Sequence, residues 1–113
     1  HRCNCSYCWK ARVWFAFARG PGRFRILEGQ DGLTTYRWTP PNLTEPFLTY
    51  AFCSQCGVRV FATAELEQLG GEFHAVPIST LDDLSPQALA ELPIDYIDQR
   101  HDRLSPPEIT SYL

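Results

Sequence analysis

From Val13 to Ala18 apolar side chains alternate, with Val13, Phe15 and Phe17 on one side and Trp14, Ala16 and Ala18 on the other. This period of two predicts a strand covered on both faces. Gly20-Pro21-Gly22 marks a turn, and Phe24 to Leu27 reads as a second short strand. After the Gln30-Asp31-Gly32 turn, the Thr- and aromatic-rich stretch Leu33 to Trp38 reads as a third. Pro40, Pro41 and Pro46 then mark a loop, since proline donates no ladder hydrogen bond. Phe47 to Phe52 predicts a fourth strand and Val58 to Ala62 a fifth, with Cys53 to Gly57 at the tip of their hairpin. Phe73 to Ile78 is the sixth. Ser85 as cap and Pro86 as first helical residue predict one short helix that Pro93 stops. From about residue 94 the chain loses periodicity and is expected to be irregular. The expected fold class is mainly β, in a single zinc-binding domain over residues 1–113.

At 113 residues the chain has the length of one domain, and 44% apolar residues suffice for one core. Its net charge of −3 argues against nucleic acid held by bulk charge. No apolar run approaches the ~18 residues of a membrane span, so no membrane partner is expected. The first residue is His1 and methionine is absent; the sequence reads as a piece of a longer chain. Residues 1–38 carry seven basic side chains against Glu28 and Asp31, whereas residues 64–113 carry ten acidic ones against Arg100 and Arg103. Solvated faces of one domain explain that asymmetry. A sharper reading has the basic half draw a small anionic substrate toward the first cysteines.

The five cysteines fall into two groups: Cys3, Cys5 and Cys8, then Cys53 and Cys56. An odd, clustered set is a poor disulfide framework, and Cys3 and Cys5 are too close for an unstrained bridge. Reduced thiols in an intracellular, cytoplasmic setting fit better. Cys53-Ser54-Gln55-Cys56-Gly57 places two thiols on a tight turn, where the glycine tolerates the positive φ that aims backbone N–H groups at sulfur. This is half of a structural zinc site. A redox pair of the same spacing needs a helix N-terminus beside a βαβ unit, and strands flank this one.

Cys3-Asn4-Cys5-Ser6-Tyr7-Cys8 is the more telling spacing. Three thiolates within six residues can grip one ion and leave a tetrahedral position open, which is the mark of a catalytic rather than a structural zinc. Two alternatives stay open at this level. Two of these cysteines could complete the Cys53/Cys56 site, or His1 could close the tripod. Three thiolates around Zn²⁺ sum to −1, which disfavours hydroxide generation and favours binding a thiol as thiolate. Lys10 and Arg12 are placed to offset that charge, and Tyr7 lies inside the loop. Trp9, Trp14 and Trp38 read as core or sheet-face residues, and neither His74 nor His101 has a ligand-like partner.

These residues resemble a known family. The cysteine triplet, Gly29 with Leu33-Thr34-Thr35-Tyr36, Phe52-Cys53-Ser54-Gln55-Cys56-Gly57, Leu81-Asp82-Asp83-Leu84 and Tyr96 to Asp102 are similar to the glutathione-dependent formaldehyde-activating enzyme family, which also includes centromere protein V. The resemblance runs from Cys3 to about Arg103. It implies a β-tent fold of small antiparallel sheets with zinc at a catalytic and a structural site. Cys3, Cys5 and Cys8 match the catalytic zinc ligands, and Cys53 and Cys56 match half of the structural site. The family's other half is a C-x-C pair on an upstream strand, which this sequence does not contain. Gln99 and Leu104 stand where the family often has glycine and an aromatic residue. The implied activity is that of a carbon–sulfur lyase acting on S-hydroxymethylglutathione or a related thiol adduct, with a small thiol such as glutathione as partner. A zinc-stabilised binding module without turnover is the alternative.

Overall fold

A computed structural model describes residues 1–113. In chain order the elements are β1 (Arg2–Cys3), α1 (Ser6–Ala11), β2 (Phe15–Arg19), β3 (Leu33–Trp38), β4 (Leu48–Cys53), β5 (Arg59–Leu66), β6 (Gly71–Pro77), α2 (Pro86–Glu91) and β7 (Tyr96–Ile97). Single 3-10 turns at Gln30–Gly32, Glu67–Leu69, Ile78–Thr80 and Gln99–His101 join them. The protein is mainly β, with two short helices. The chain divides into two compact units, His1–Phe15 with Leu81–Leu113, and Ala16–Thr80. No helix is long and apolar enough to cross a membrane.

The second unit is built on a five-stranded sheet in the order β2-β6-β5-β4-β3. The pairs β3/β4, β4/β5 and β5/β6 are antiparallel. Tyr36, Tyr50, Ala62 and Ala75 stand opposite one another across four strands. Tyr50, Ala62 and Ala75 are buried, so small residues on β5 and β6 make room for the tyrosine ring beside them. Ala51, its neighbour in sequence, is buried as well, so the centre of β4 is covered on both faces. Phe73 and Ala75 follow the expected alternation along β6. The register shifts by one residue beyond Ala51, where Phe52 pairs with Arg59. A bulge of this kind strengthens the local twist just before the Cys53 turn.

Two expectations fail in this unit. Phe24 to Leu27 forms no strand. Gly20 and Gly22 before it and Gly29 after it all have positive φ, and Leu27 stays exposed. Phe24 is held instead by ring contacts, stacked on His74 at 4.3 Å and tilted against Phe61 at 4.8 Å. The fifth strand continues past Ala62 to Leu66, because Thr63 to Leu66 pair with His74 to Gly71.

In the first unit, β1 and β7 pair in parallel, Arg2 with Tyr96 and Cys3 with Ile97. The stretch expected to be irregular from residue 94 thus holds a strand and a 3-10 turn. Ile97 and Asp98 are buried there. The strand was illegible because it is two residues long, too short for any period to register. Ser85 caps α2 as expected, its Oγ accepting from the Ala88 N–H at 3.1 Å. A second helix, α1, was not expected. It begins at Ser6 with Cys5 as its cap, and a cysteine is absent from the usual capping residues.

Candidate metal centre

Cys3 ends β1, Cys5 caps α1 and Cys8 lies one turn into that helix. This strand-to-helix corner turns all three side chains inward. Their sulfur atoms lie within 4.8 Å of one another, with Cys5 and Cys8 buried and Cys3 half-buried. A tetrahedral zinc with bonds near 2.3 Å has sulfur–sulfur edges of about 3.8 Å, so the cluster needs to contract by at most about an ångström. His1 does not join it. The His1 Nδ1 lies 3.9 Å from an Asp95 carboxylate oxygen, and the cluster consists of cysteines alone.

Backbone N–H groups are aimed at these sulfurs. The Cys5 N–H donates to Cys3 Sγ at 3.4 Å, and the Cys8 N–H to Cys5 Sγ at 3.3 Å. The Cys5 thiol is held far below its ordinary range, first by the hydrogen bond from the Cys3 S–H, then by that from Cys8, aided by the Cys8 and Tyr7 N–H groups. Cys3 is pushed up because its S–H serves Cys5. Cys8 is pushed up too, because its S–H serves Cys3 and Cys5 in a buried place. Three thiolates packed this closely would repel one another. A soft divalent ion relieves that repulsion, since coordination deprotonates thiols outright. The donor set and its geometry could hold a soft metal ion.

A cleft of about 20 Å³ opens on this cluster, lined by Arg2, Cys3, Cys8, Trp9, Arg12, Val13 and Leu113. Arg2 and Arg12 thus share this cleft with Cys3 and Cys8. Arg2 Nη1 donates to the Leu113 carbonyl at 2.6 Å, and its guanidinium lies 5.6 Å from the Trp14 ring centroid. Arg12 Nη1 donates to the Tyr112 carbonyl. Arg12 also ends α1 in the left-handed region at φ +53, a strained place for a side-chain-bearing residue. Lys10, expected to share the charge-balancing role, is exposed and does not line the cleft. Arg2, which sequence reasoning did not single out, does line it. Tyr7 is likewise not among the lining residues. Trp9, read as a core or sheet-face residue, is 39% exposed on the cleft wall. There it meets Tyr112 edge-on at 5.9 Å and the Arg100 guanidinium at 5.4 Å.

A buried polar network behind the loop was also missed. Asn4, between Cys3 and Cys5, donates from Nδ2 to Asp98 Oδ1 at 2.6 Å. Its Oδ1 accepts the Arg100 N–H at 2.9 Å. Asp98 in turn receives His101 Nδ1 at 2.8 and 2.9 Å. The only signal in the sequence was the i, i+3 spacing of Asp98 and His101.

Cys53 and Cys56 lie in the second unit, at the β4–β5 hairpin tip. The Cys53 N–H donates to the Val58 carbonyl and the Gly57 N–H to the Cys53 carbonyl, both at 2.8 Å. Gly57 has φ +73, the left-handed conformation expected of it. The Cys53 thiol is lowered, first by the Cys56 N–H, then by the Gln55 N–H and the Cys56 S–H. The turn is tied down by Ser54, whose N–H and Oγ both donate to the Gly32 carbonyl at 2.9 Å. Cys53 pairs with Leu33 of β3, an edge strand of the sheet. No protein-family model, no curated protein and no solved structure matches this chain.

Proposed function

We propose that the protein is a zinc-dependent carbon–sulfur lyase of the glutathione-dependent formaldehyde-activating kind. Its substrate would be S-hydroxymethylglutathione or a related thiol adduct. The observation that carries this reading is the convergence of Cys3, Cys5 and Cys8 beside a cleft that also holds two arginines. Cys3, Cys5 and Cys8 would hold the zinc, whose chemistry when bound is to keep a substrate thiol as thiolate while its bond to carbon is made or broken. Arg2 and Arg12 offset the surplus negative charge of three thiolates. They also give a thiol bearing carboxylates a favourable approach. Trp9 supplies an apolar wall with one exposed face. Cys53 and Cys56 would form half of a structural zinc site, its other half coming from an upstream C-x-C strand, as the family resemblance implies. The backbone N–H groups aimed at Cys53 support a thiolate in that role.

The test is exchange between glutathione, formaldehyde and their adduct, followed by NMR with the zinc-loaded protein and its Cys5→Ser variant. Acceleration that vanishes with Cys5 is the expected result. Equal exchange in both, or none in either, overturns the lyase reading and leaves a zinc-stabilised binding module.

A further inference from the structure

The Asn4 side chain is almost completely buried, at 2% exposure, and its hydrogen bonds to Asp98 and Arg100 run to one short stretch of distant sequence. Its amide donates to Asp98 and its carbonyl accepts from the Arg100 backbone, while its own backbone N–H donates to the Ile97 carbonyl at 3.2 Å. Asp98 is 4% exposed and is fixed independently. Its backbone N–H donates to the Ser105 carbonyl at 3.0 Å, and its carbonyl accepts the His101 and Arg103 N–H groups at 3.1 and 2.9 Å. His101 Nδ1 contacts both carboxylate oxygens, at 2.9 and 2.8 Å. Asn4 is therefore clamped at three points by a self-braced turn. Because it is the middle residue of Cys3-Asn4-Cys5, the clamp sets the separation and direction of two of the three clustered sulfurs.

We propose that Asp98 is a positioning residue for the cysteine triplet, acting through Asn4 to hold Cys3 and Cys5 in the arrangement a metal ion requires. The inference rests on the reading of the triplet as a metal centre. A buried carboxylate is costly unless its hydrogen bonds are satisfied, and here they are satisfied by the loop that carries the ligands. Supporting residues of this kind change metal affinity by about 10- to 100-fold when removed. A carboxylate serving only the fold would instead affect unfolding without altering the ligand geometry.

The experiment is a Co²⁺ titration of the full chain, read by the sulfur-to-cobalt charge-transfer and ligand-field bands, in competition with a chelator. Wild type, Cys5→Ser, Asp98→Ala, Asp98→Asn and Asn4→Ala are compared. Asp98→Ala and Asn4→Ala should each bind about 10- to 100-fold more weakly with shifted ligand-field bands. Asp98→Asn still accepts from Asn4 and should recover most of the affinity and the wild-type spectrum. If Asp98→Ala does not fold, Asn4→Ala decides, since it breaks the same link from the loop's side. Unchanged affinity and spectrum in the folded variants overturn the positioning role alone. A wild-type spectrum indifferent to Cys5→Ser overturns the metal-centre reading itself.

Discussion

The Gly57 N–H donates to the Cys53 carbonyl across 2.8 Å, closing the turn that sets Cys53 and Cys56 side by side. Gly57 makes that bond at φ +73, and a Cβ built there would meet no atom within 4 Å. A Gly57→Ala variant therefore tests backbone strain free of steric collision. It should lose roughly 1 kcal/mol of stability, seen as a lower urea midpoint with unchanged slope. An unchanged midpoint would mean that the turn forms as readily without a left-handed residue.

Acid should act on the buried carboxylate. Asp98 is held below the ordinary carboxyl range, chiefly by the Asn4 amide and further by His101. Its folded value lies below the unfolded value of about 3.9, so its contribution to stability is present above that pH. The contribution is lost as the pH falls through the folded value. Urea midpoints of the metal-free protein between pH 6 and pH 3 should fall less steeply in Asp98→Asn than in wild type. Parallel curves would show that the carboxylate gains nothing from its partners.

The β3 boundaries and the Ser85 cap were legible in the sequence because each rests on local chemistry. A Thr- and aromatic-rich stretch marks the first, and a serine ahead of a proline marks the second. The spacing of Cys3, Cys5 and Cys8 also announced their convergence, since six residues leave three sulfurs little freedom to part. What lay outside local pattern was missed. The Asn4–Asp98 bond spans 94 positions, and no short motif encodes it. Helix α1 is six residues long, under two turns, and the metal-loop reading of Cys3 to Cys8 left no helical period to see. Phe24 to Leu27 has the composition of a strand, yet no neighbouring strand takes it, and glycines with positive φ lie on both sides. Lys10 was singled out with Arg12, whereas Arg2 lines the cleft with Cys3 and Cys8 and Lys10 does not.

The lining of the cleft, which includes Arg12 but not Lys10, gives a third expectation. Arg12 borders the cleft and is solvent-exposed, so Arg12→Ala should weaken capture of an anionic thiol adduct by about 1 kcal/mol, roughly fivefold in KM. Lys10→Ala should leave KM where it was. The comparison is made by steady-state kinetics at low ionic strength, with salt expected to erase the difference. A larger effect at Lys10 than at Arg12 would reverse the assignment of the cleft-bordering charge.

The account stands on one ion held by Cys3, Cys5 and Cys8 with a fourth position open to a thiol. Zinc-edge X-ray absorption of a Cys53→Ser/Cys56→Ser chain, loaded with one equivalent of zinc, reads that directly. Three sulfur neighbours at about 2.3 Å with one oxygen or nitrogen neighbour are expected, and addition of glutathione should raise the sulfur count to about four. Four sulfurs before any thiol is added, or a first shell of oxygen and nitrogen alone, would contradict it.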